Sequence, residues 1–318
     1  MSVVLAVDVG GTGLKGAVVD VHGRALVRRE RPTALDGRGA LDNLLALLAE
    51  LAELAGPHRP VAVGVGTPGT VDEASGTVVH ASNLGWRDLG LRALLEEATG
   101  LPVAVGHDAR AAGRAEQLAS GARDSFVFVP IGTGISAALV VRGTAVSGVS
   151  GAAGEFGHVV VHPDGEPCPC GQRGCVEAYA AAGAVLRRYR ARGGRAGSTA
   201  EVVARVGRDA DADADADAVW ADAVGALALG LQGVTMLLDP AEIVLGGGVS
   251  RAGAVLLDPL AADLRSLLAW RSPPPLRTAR WGAQAGRVGA ALLGFERVGT
   301  TPRFELPHVP GTAGAGTG

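Results

Sequence analysis

Two stretches far apart in this chain repeat one pattern: an apolar run, a glycine turn carrying a threonine, and a second apolar run. In the first, Val3 to Val9 leads into Gly10, Gly11, Thr12 and Gly13, and Leu14 to Val21 resumes the apolar character. In the second, Asp124 to Ile131 leads into Gly132, Thr133 and Gly134, and a further run ends near Arg142. Each predicts two strands joined by a turn, because short β-rich runs bounded by glycine read as strands. Glycine lets backbone amides approach an anion with no side chain in the way, and threonine adds a hydroxyl donor. Either turn alone is most often an ordinary hairpin; the repetition makes each more credible as a phosphate-binding turn than it is alone. Asp8 precedes the first turn and is a candidate magnesium ligand, and Lys15 follows it. The segment is not a Walker loop, since a strand and not a helix follows the lysine.

Between and after these turns helices and strands alternate. Gly39 to Leu54, Leu89 to Thr99 and the segment from Asp108 to Leu118 carry helical spacing, while Val61 to Val65 and Pro102 to Val105 read as strands. Asp108 sits where a strand meets a helix, and in the simplest reading it is an N-cap. Ser198 to Glu201 forms a capping box, and the alternating Asp-Ala run at 209–217 suits the start of a helix from Val219 to Leu238. Gly246, Gly247 and Gly248 lie between a strand (Glu242 to Leu245) and a further helix. Such a junction admits a flat ligand and favours anions. A last helix is expected near 284–297.

All three cysteines, Cys168, Cys170 and Cys175, fall within a short Pro- and Gly-rich segment. A bridge between Cys168 and Cys170 is geometrically poor, and three thiols leave one over. Reduced thiols of no special role are the plain alternative. A closed zinc site accounts for all three, with His158 as the nearest fourth ligand. Glu155 and Glu177 flank the cluster, so a metal that fixes this loop also fixes two carboxylates and an imidazole.

The sequence Glu155-x-Gly-His158 followed by Cys168-x-Cys-Gly-x-x-Gly-Cys175-x-Glu177 resembles the signature of the ROK family of bacterial sugar kinases and sugar-responsive repressors. The resemblance implies an α/β, two-domain actin-like ATPase (ribonuclease H-like) fold with an interdomain cleft. The small domain would span 1–118, completed by a C-terminal helix at about 284–300. A larger one with the zinc loop would span 119–283, followed by a disordered tail over 301–318. It further implies ATP-dependent phosphorylation of a hexose 6-hydroxyl, glucose first among the candidates, with Asp108 as general base. Asn83, His107, Glu155, His158 and Glu177 would hold the sugar, although Asn83 also reads as an ordinary turn residue. The three glycine turns would hold ATP with Mg2+, Gly246 to Gly248 on the adenosine side, and Zn2+ would be structural. Family members usually carry Asn immediately before the catalytic Asp and two residues after it, whereas this chain has His107 and Arg110. That leaves N-acetylglucosamine, N-acetylmannosamine, fructose and allose open as substrates. A non-catalytic regulator of the same family would carry a winged helix ahead of the first turn. That turn begins at Asp8, so no room for one is expected.

Composition narrows the partners. With 47% hydrophobic residues and a net charge of −3, neither nucleic acid nor an anionic membrane is an expected partner. No apolar run reaches the roughly 20 residues needed to span a bilayer, and the N-terminus lacks the basic region of a signal peptide, so a cytoplasmic location is expected. Relatives suggest a homodimer or homotetramer. Lys15 is the only lysine among 29 basic residues, and asparagine occurs only at Asn43 and Asn83. In a chain biased to arginine, such survivors draw attention.

Overall fold

The computed structural model describes residues 2–34, 36–120, 124–207 and 213–305. The strands in chain order are β1 (Val3–Val9), β2 (Gly13–Asp20), β3 (Ala25–Pro32), β4 (Pro60–Thr67), β5 (Thr70–Asp72), β6 (Thr77–Ala81), β7 (Trp86–Leu89), β8 (Val103–His107), β9 (Phe126–Pro130), β10 (Ala138–Val141), β11 (Thr144–Ala145), β12 (Ile243–Gly246) and β13 (Leu276–Thr278). The helices are α1 (Gly37–Leu54), α2 (Leu91–Thr99), α3 (Asp108–Ser120), α4 (Val176–Ala180), α5 (Ala182–Ala191), α6 (Thr199–Val203), α7 (Ala214–Leu238), α8 (Ala254–Leu267) and α9 (Ala285–Arg297).

The sequence repeat is a structural repeat. One sheet runs β3-β2-β1-β4-β8 and the other β11-β10-β9-β12-β13. In both, a central strand pairs antiparallel with the strand after its glycine turn and parallel with a later one: β1 with β2 and β4, β9 with β10 and β12. A third sheet, β5-β6-β7, has no counterpart in the sequence reading, which singled out only Asn83 in that stretch. Its strands are too short to show a period.

Alternation along the central strands assigns the layers. In β1, Val3, Leu5, Val7 and Val9 face α1 and α2, while Val4 and Ala6 face α9. In β9, Val127 and Val129 face the helices from α4 to α8, and Phe126 and Phe128 face α3 and the start of α9. The pair α3 and α9 is therefore packed between the two large sheets. Close approach makes this possible: a Cβ on Gly64 of β4 would collide with the Ala290 carbonyl oxygen and lie 2.7 Å from the Gly294 nitrogen. Glu116 of α3, fully buried, accepts from Arg277 Nη1 at 2.7 Å and from the Arg280 amide at 3.0 Å, tying the helix to β13 and to the chain just after it.

Several local expectations take their physical form here. Asp36 caps α1 through the Gly39 amide at 2.6 Å. Ser198 caps α6 through the Glu201 amide, while the Glu201 carboxylate turns back to the Gly197 amide, one residue earlier than a standard capping box. Asp213 caps α7 through the Ala216 amide at 3.0 Å, with Asp215 and Asp217 in its first turn; residues 209–212 of the Asp-Ala run lie outside the described residues. After the triple glycine, a short 3-10 turn (Val249–Ala252) precedes α8.

Two expectations are corrected. Of the tail expected to be disordered, residues 301–305 are docked, and 306–318 lie outside the described residues. The Arg303 amide donates to the Val21 carbonyl at 2.7 Å, and Phe304 stacks edge-on against Trp281 and Phe295. The Phe304 ring supplies the anchor. Second, α7 is long and apolar enough to cross a membrane, contrary to the first reading of the sequence. Its buried residues, among them Val219, Trp220, Ala223, Leu227 and Leu231, lie in the core outside the second sheet.

Candidate active site

The parallel strands of the first sheet end in one row. Asp8 of β1 stands beside Gly66 of β4, and Thr67 of β4 stands beside His107 of β8. The chain leaves β8 and enters α3 at Asp108, so the carboxylate projects at the C-terminal edge of the sheet, where ligands of α/β proteins characteristically bind. Asp108 is not merely a cap, since its Oδ1 accepts only the adjacent Ala109 amide, at 2.6 Å. Burial pushes its carboxyl up to about 6, against the pull of the Ala109 amide and of Arg110. Asp8 is likewise pushed up to about 6, by burial first and then by Asp108, with Lys15 and Arg287 opposing.

From Asp108 a line of polar groups crosses to the cysteines. His107 is 2% exposed, with Nδ1 3.3 Å from Asp108 Oδ1 and Nε2 3.9 Å from Glu155 Oε1. Despite the short separation, Nδ1 makes no aligned hydrogen bond. Burial and then Arg110 push the imidazole down to about 4, so it is neutral at physiological pH. The other oxygen of Glu155 lies 3.8 Å from His158 Nε2, and His158 Nδ1 lies 3.8 Å from Cys168 Sγ. His158 thus turns one ring nitrogen to the thiols and the other to Glu155.

The donor set fits zinc. His158, Cys168, Cys170 and Cys175 bring one ligand atom each to within 4.8 Å of one another, and no disulfide joins the thiols. A tetrahedron with zinc–sulfur bonds of about 2.3 Å has edges of about 3.8 Å. The Cys170–Cys175 sulfur separation is 3.8 Å. Burial, with the neighbouring Cys168 and Cys170, pushes the Cys175 thiol up to about 12, an environment that a cation would relieve.

The glycine turns converge on the same region. The first closes through the Gly10 amide on the Gly13 carbonyl at 3.0 Å, with Thr12 exposed at its tip. The second closes through the Gly132 amide on the Gly134 carbonyl at 3.0 Å, beside Thr133. A Cβ on Gly11 would lie 3.6 Å from Asn83 Nδ2 and 3.7 Å from Thr133 Cγ2, so both turns and Asn83 meet at one place. Lys15 faces Asp8 across the hairpin. Glu177, at the start of α4, spends one oxygen on the Ile135 amide at 2.8 Å, joining the cysteine loop to the second turn. The third turn follows suit: the Ile131 amide donates to the Gly246 carbonyl at 2.9 Å. Gly247, at φ +78°, lies so close to the Ile131 backbone that a Cβ would collide with it, while Gly248 is exposed.

Three residues escaped the sequence reading. Glu73, after β5, accepts the His107 amide at 3.1 Å and Arg110 Nε at 2.9 Å. Nothing in its sequence neighbourhood signals this, because the partners come from a different sheet and helix. Gly286 abuts the Asp8 carboxylate, which any Cβ there would strike, and Arg287 acts on Asp8 electrostatically. A glycine inside a predicted helix was the one available hint.

Residues 4–296 match the model of the ROK family. A glucokinase of Streptomyces coelicolor is 33% identical, covering 93% of this chain and 98% of its own length. An N-acetylmannosamine kinase of Citrobacter koseri is 34% identical, covering 91% and 97%. The crystal structure of a ROK family glucokinase from Streptomyces griseus in complex with glucose and AMPPNP superposes with a TM-score of 0.79 at 33% identity, over 92% of this chain and 99% of that one. The paired sheets with α3 and α9 between them are the actin-like ATPase fold of those kinases. By sequence and by fold, this chain belongs to the ROK family.

Proposed function

We propose that the protein transfers the γ-phosphoryl group of ATP to the 6-hydroxyl of a hexose, with glucose as the first substrate to test. Asp108 carries the reading: a partly buried carboxylate with its pKa pushed up to about 6 by desolvation, at the C-terminal edge of the first sheet and at one end of a carboxylate–imidazole line. Relatives that are glucokinases along nearly their whole length support it.

Asp108 takes the proton as the sugar oxygen forms its bond to the γ-phosphorus, the bond from that phosphorus to the β–γ bridging oxygen breaks, and ADP leaves. Matching a base of pKa about 6 to neutral pH favours this transfer. Asn83, His107, Glu155, His158 and Glu177 orient the hydroxyls; Glu155 and Glu177 accept charge-assisted hydrogen bonds, Glu177 through the oxygen not spent on Ile135. The neutral His107 accepts at one nitrogen and donates at the other. The Thr hydroxyls and the amides not spent on closing the turns Gly10 to Gly13 and Gly132 to Gly134, with Lys15, cradle the phosphates, and Gly246 to Gly248 admit the adenosine. Asp8 would hold the Mg2+ that accompanies ATP, which neutralises charge on the phosphate oxygens. His158, Cys168, Cys170 and Cys175 would hold a structural Zn2+ that fixes the loop carrying Glu155 and Glu177.

We read the two large sheets and their helices as the two lobes of a cleft: residues 1–118 with α9, and 119–283. A cytoplasmic location and a homodimeric or homotetrameric state complete the proposal. The second reading, a kinase for N-acetylmannosamine or another hexose, draws on His107 and on the relative of that activity.

ADP release over a panel of hexoses tests these together. Asp108→Ala should lower kcat by about 10² to 10⁴ with little change in sugar affinity. Wild-type turnover in that variant would remove Asp108 as base. Sugar binding without turnover in the wild type would favour a sensor.

A further inference from the structure

The Glu155 carboxylate is carried by a loop, residues 146–155, that leaves β11 and enters the 3-10 turn Phe156–His158. On its own side this loop is held through the Ala137 amide on the Gly154 carbonyl at 2.7 Å. On the opposite side it meets the chain that carries the base. Arg110, two residues after Asp108 and 3% exposed, donates from Nη1 to the Gly151 carbonyl at 3.1 Å and to the Ala153 carbonyl at 3.4 Å. Its Nε donates to Glu73 Oε1 at 2.9 Å, and the same oxygen accepts the His107 amide at 3.1 Å. Gly151 is pressed against β5, since a Cβ there would lie 2.7 Å from the Val71 carbonyl oxygen. Three segments therefore meet on one guanidinium: the turn after β5, the start of α3, and the loop two residues ahead of Glu155.

We infer that Arg110, anchored by Glu73, is a positioning residue that sets the separation between the base Asp108 and the sugar-binding Glu155, and so determines hexose affinity and not ATP affinity. This rests on the kinase reading above. The planar fork is what the position requires. Nε and Nη1 point along different directions to a carboxylate and a pair of carbonyls, and a lysine ammonium on a flexible stem does not reproduce both. The third nitrogen, Nη2, is buried with no partner among the described residues, so the two used nitrogens fix the group there. The backbone carbonyls of 151 and 153 are not side chains that can swing away. Losing the guanidinium frees the loop itself, and a misplacement of the order of an ångström at a reacting group costs about a hundredfold.

The test is steady-state kinetics of the 318-residue chain and of Arg110→Lys, Arg110→Gln and Glu73→Gln, with hexose and ATP varied separately. Hexose binding by calorimetry is followed in parallel, and circular dichroism and thermal unfolding confirm that each variant is folded. Arg110→Gln and Arg110→Lys are expected to raise KM and Kd for hexose by about tenfold or more, the loss of roughly one charged hydrogen bond. KM for ATP should stay within about twofold. Glu73→Gln keeps an acceptor for Nε and is expected to show the smaller effect of the same kind. Equal rises in both KM values, or unchanged hexose affinity in a folded Arg110 variant, would overturn the inference. A wild type that turns over no hexose and binds none would overturn the kinase reading, and this inference with it; an active wild type with unaffected Arg110 variants sinks the inference alone.

Discussion

The pH dependence of hexose phosphorylation follows from the setting of Asp108. The active form of a general base is the carboxylate, and burial holds its pKa at about 6, above the ordinary value of 3.8. Activity is therefore full well above pH 6 and is lost as pH falls through it. With a pKa of about 6, roughly 97% of the carboxyl is ionised at pH 7.5 and roughly 9% at pH 5, so kcat/KM for hexose should fall about tenfold; an unperturbed aspartate would lose only about 6%. His107, held at about 4, stays neutral over this range and contributes no second step. Asp8, likewise pushed up to about 6, and the terminal phosphate of ATP, which titrates as phosphate monoesters do at about 6, change charge over the same range. Arg110→Gln separates Asp108 from both, because Arg110 acts on Asp108 and not on Asp8. Arg110 lowers the Asp108 pKa, so removing its charge should move the acidic limb to higher pH while the ATP contribution stays in place. The assay is kcat/KM for hexose at saturating ATP and Mg2+ from pH 5 to 8, with circular dichroism at each pH to show that the fold persists. A flat profile, or a limb that stays put in the Arg110 variant, would refute the assignment of the base and of the charge acting on it.

Two further outcomes follow from the metal loop and the helix packing. Removing metal with a chelator should release about one zinc per chain, expose the thiols to alkylating reagents and weaken hexose affinity more than ATP affinity, because Glu155 and Glu177 flank the ligands; a metal-free protein with unchanged hexose Kd would exclude the bracing role. Gly64→Ala should destabilise the protein by about 1–3 kcal/mol or more in urea titration, since the new Cβ meets the backbone of α9 and not a side chain that can turn aside, and wild-type stability would show that α9 does not sit against β4 in solution.

Much of the site was visible in the order of the residues, and what was hidden has a common cause. Chemistry that lies within a short stretch could be read directly: the cysteine cluster with His158, the two glycine turns, and Asp108 between a strand and a helix. Residue type and spacing fix such groups, because a few residues of backbone leave little freedom in where the side chains go. The periods of β1, β9 and α1 likewise follow from side chains that must choose between core and water. Glu73 and Arg110 illustrate the other kind. They stand far apart in the chain, each looks like a solvated surface charge, and their pairing exists only because the turn after β5, the start of α3 and the loop at 151–153 are folded onto one another. The raised pKa of Asp108 and the lowered one of His107 belong to the same class, since desolvation depends on what the whole fold places around a group. Phe304 found its pocket between Trp281 and Phe295 for that reason too. Local sequence thus determined which reactive groups the chain carries and on which elements. Only the tertiary structure decided which of them are deprived of water and which charges answer one another, because burial and long-range pairing are properties of packed surfaces and not of neighbouring residues.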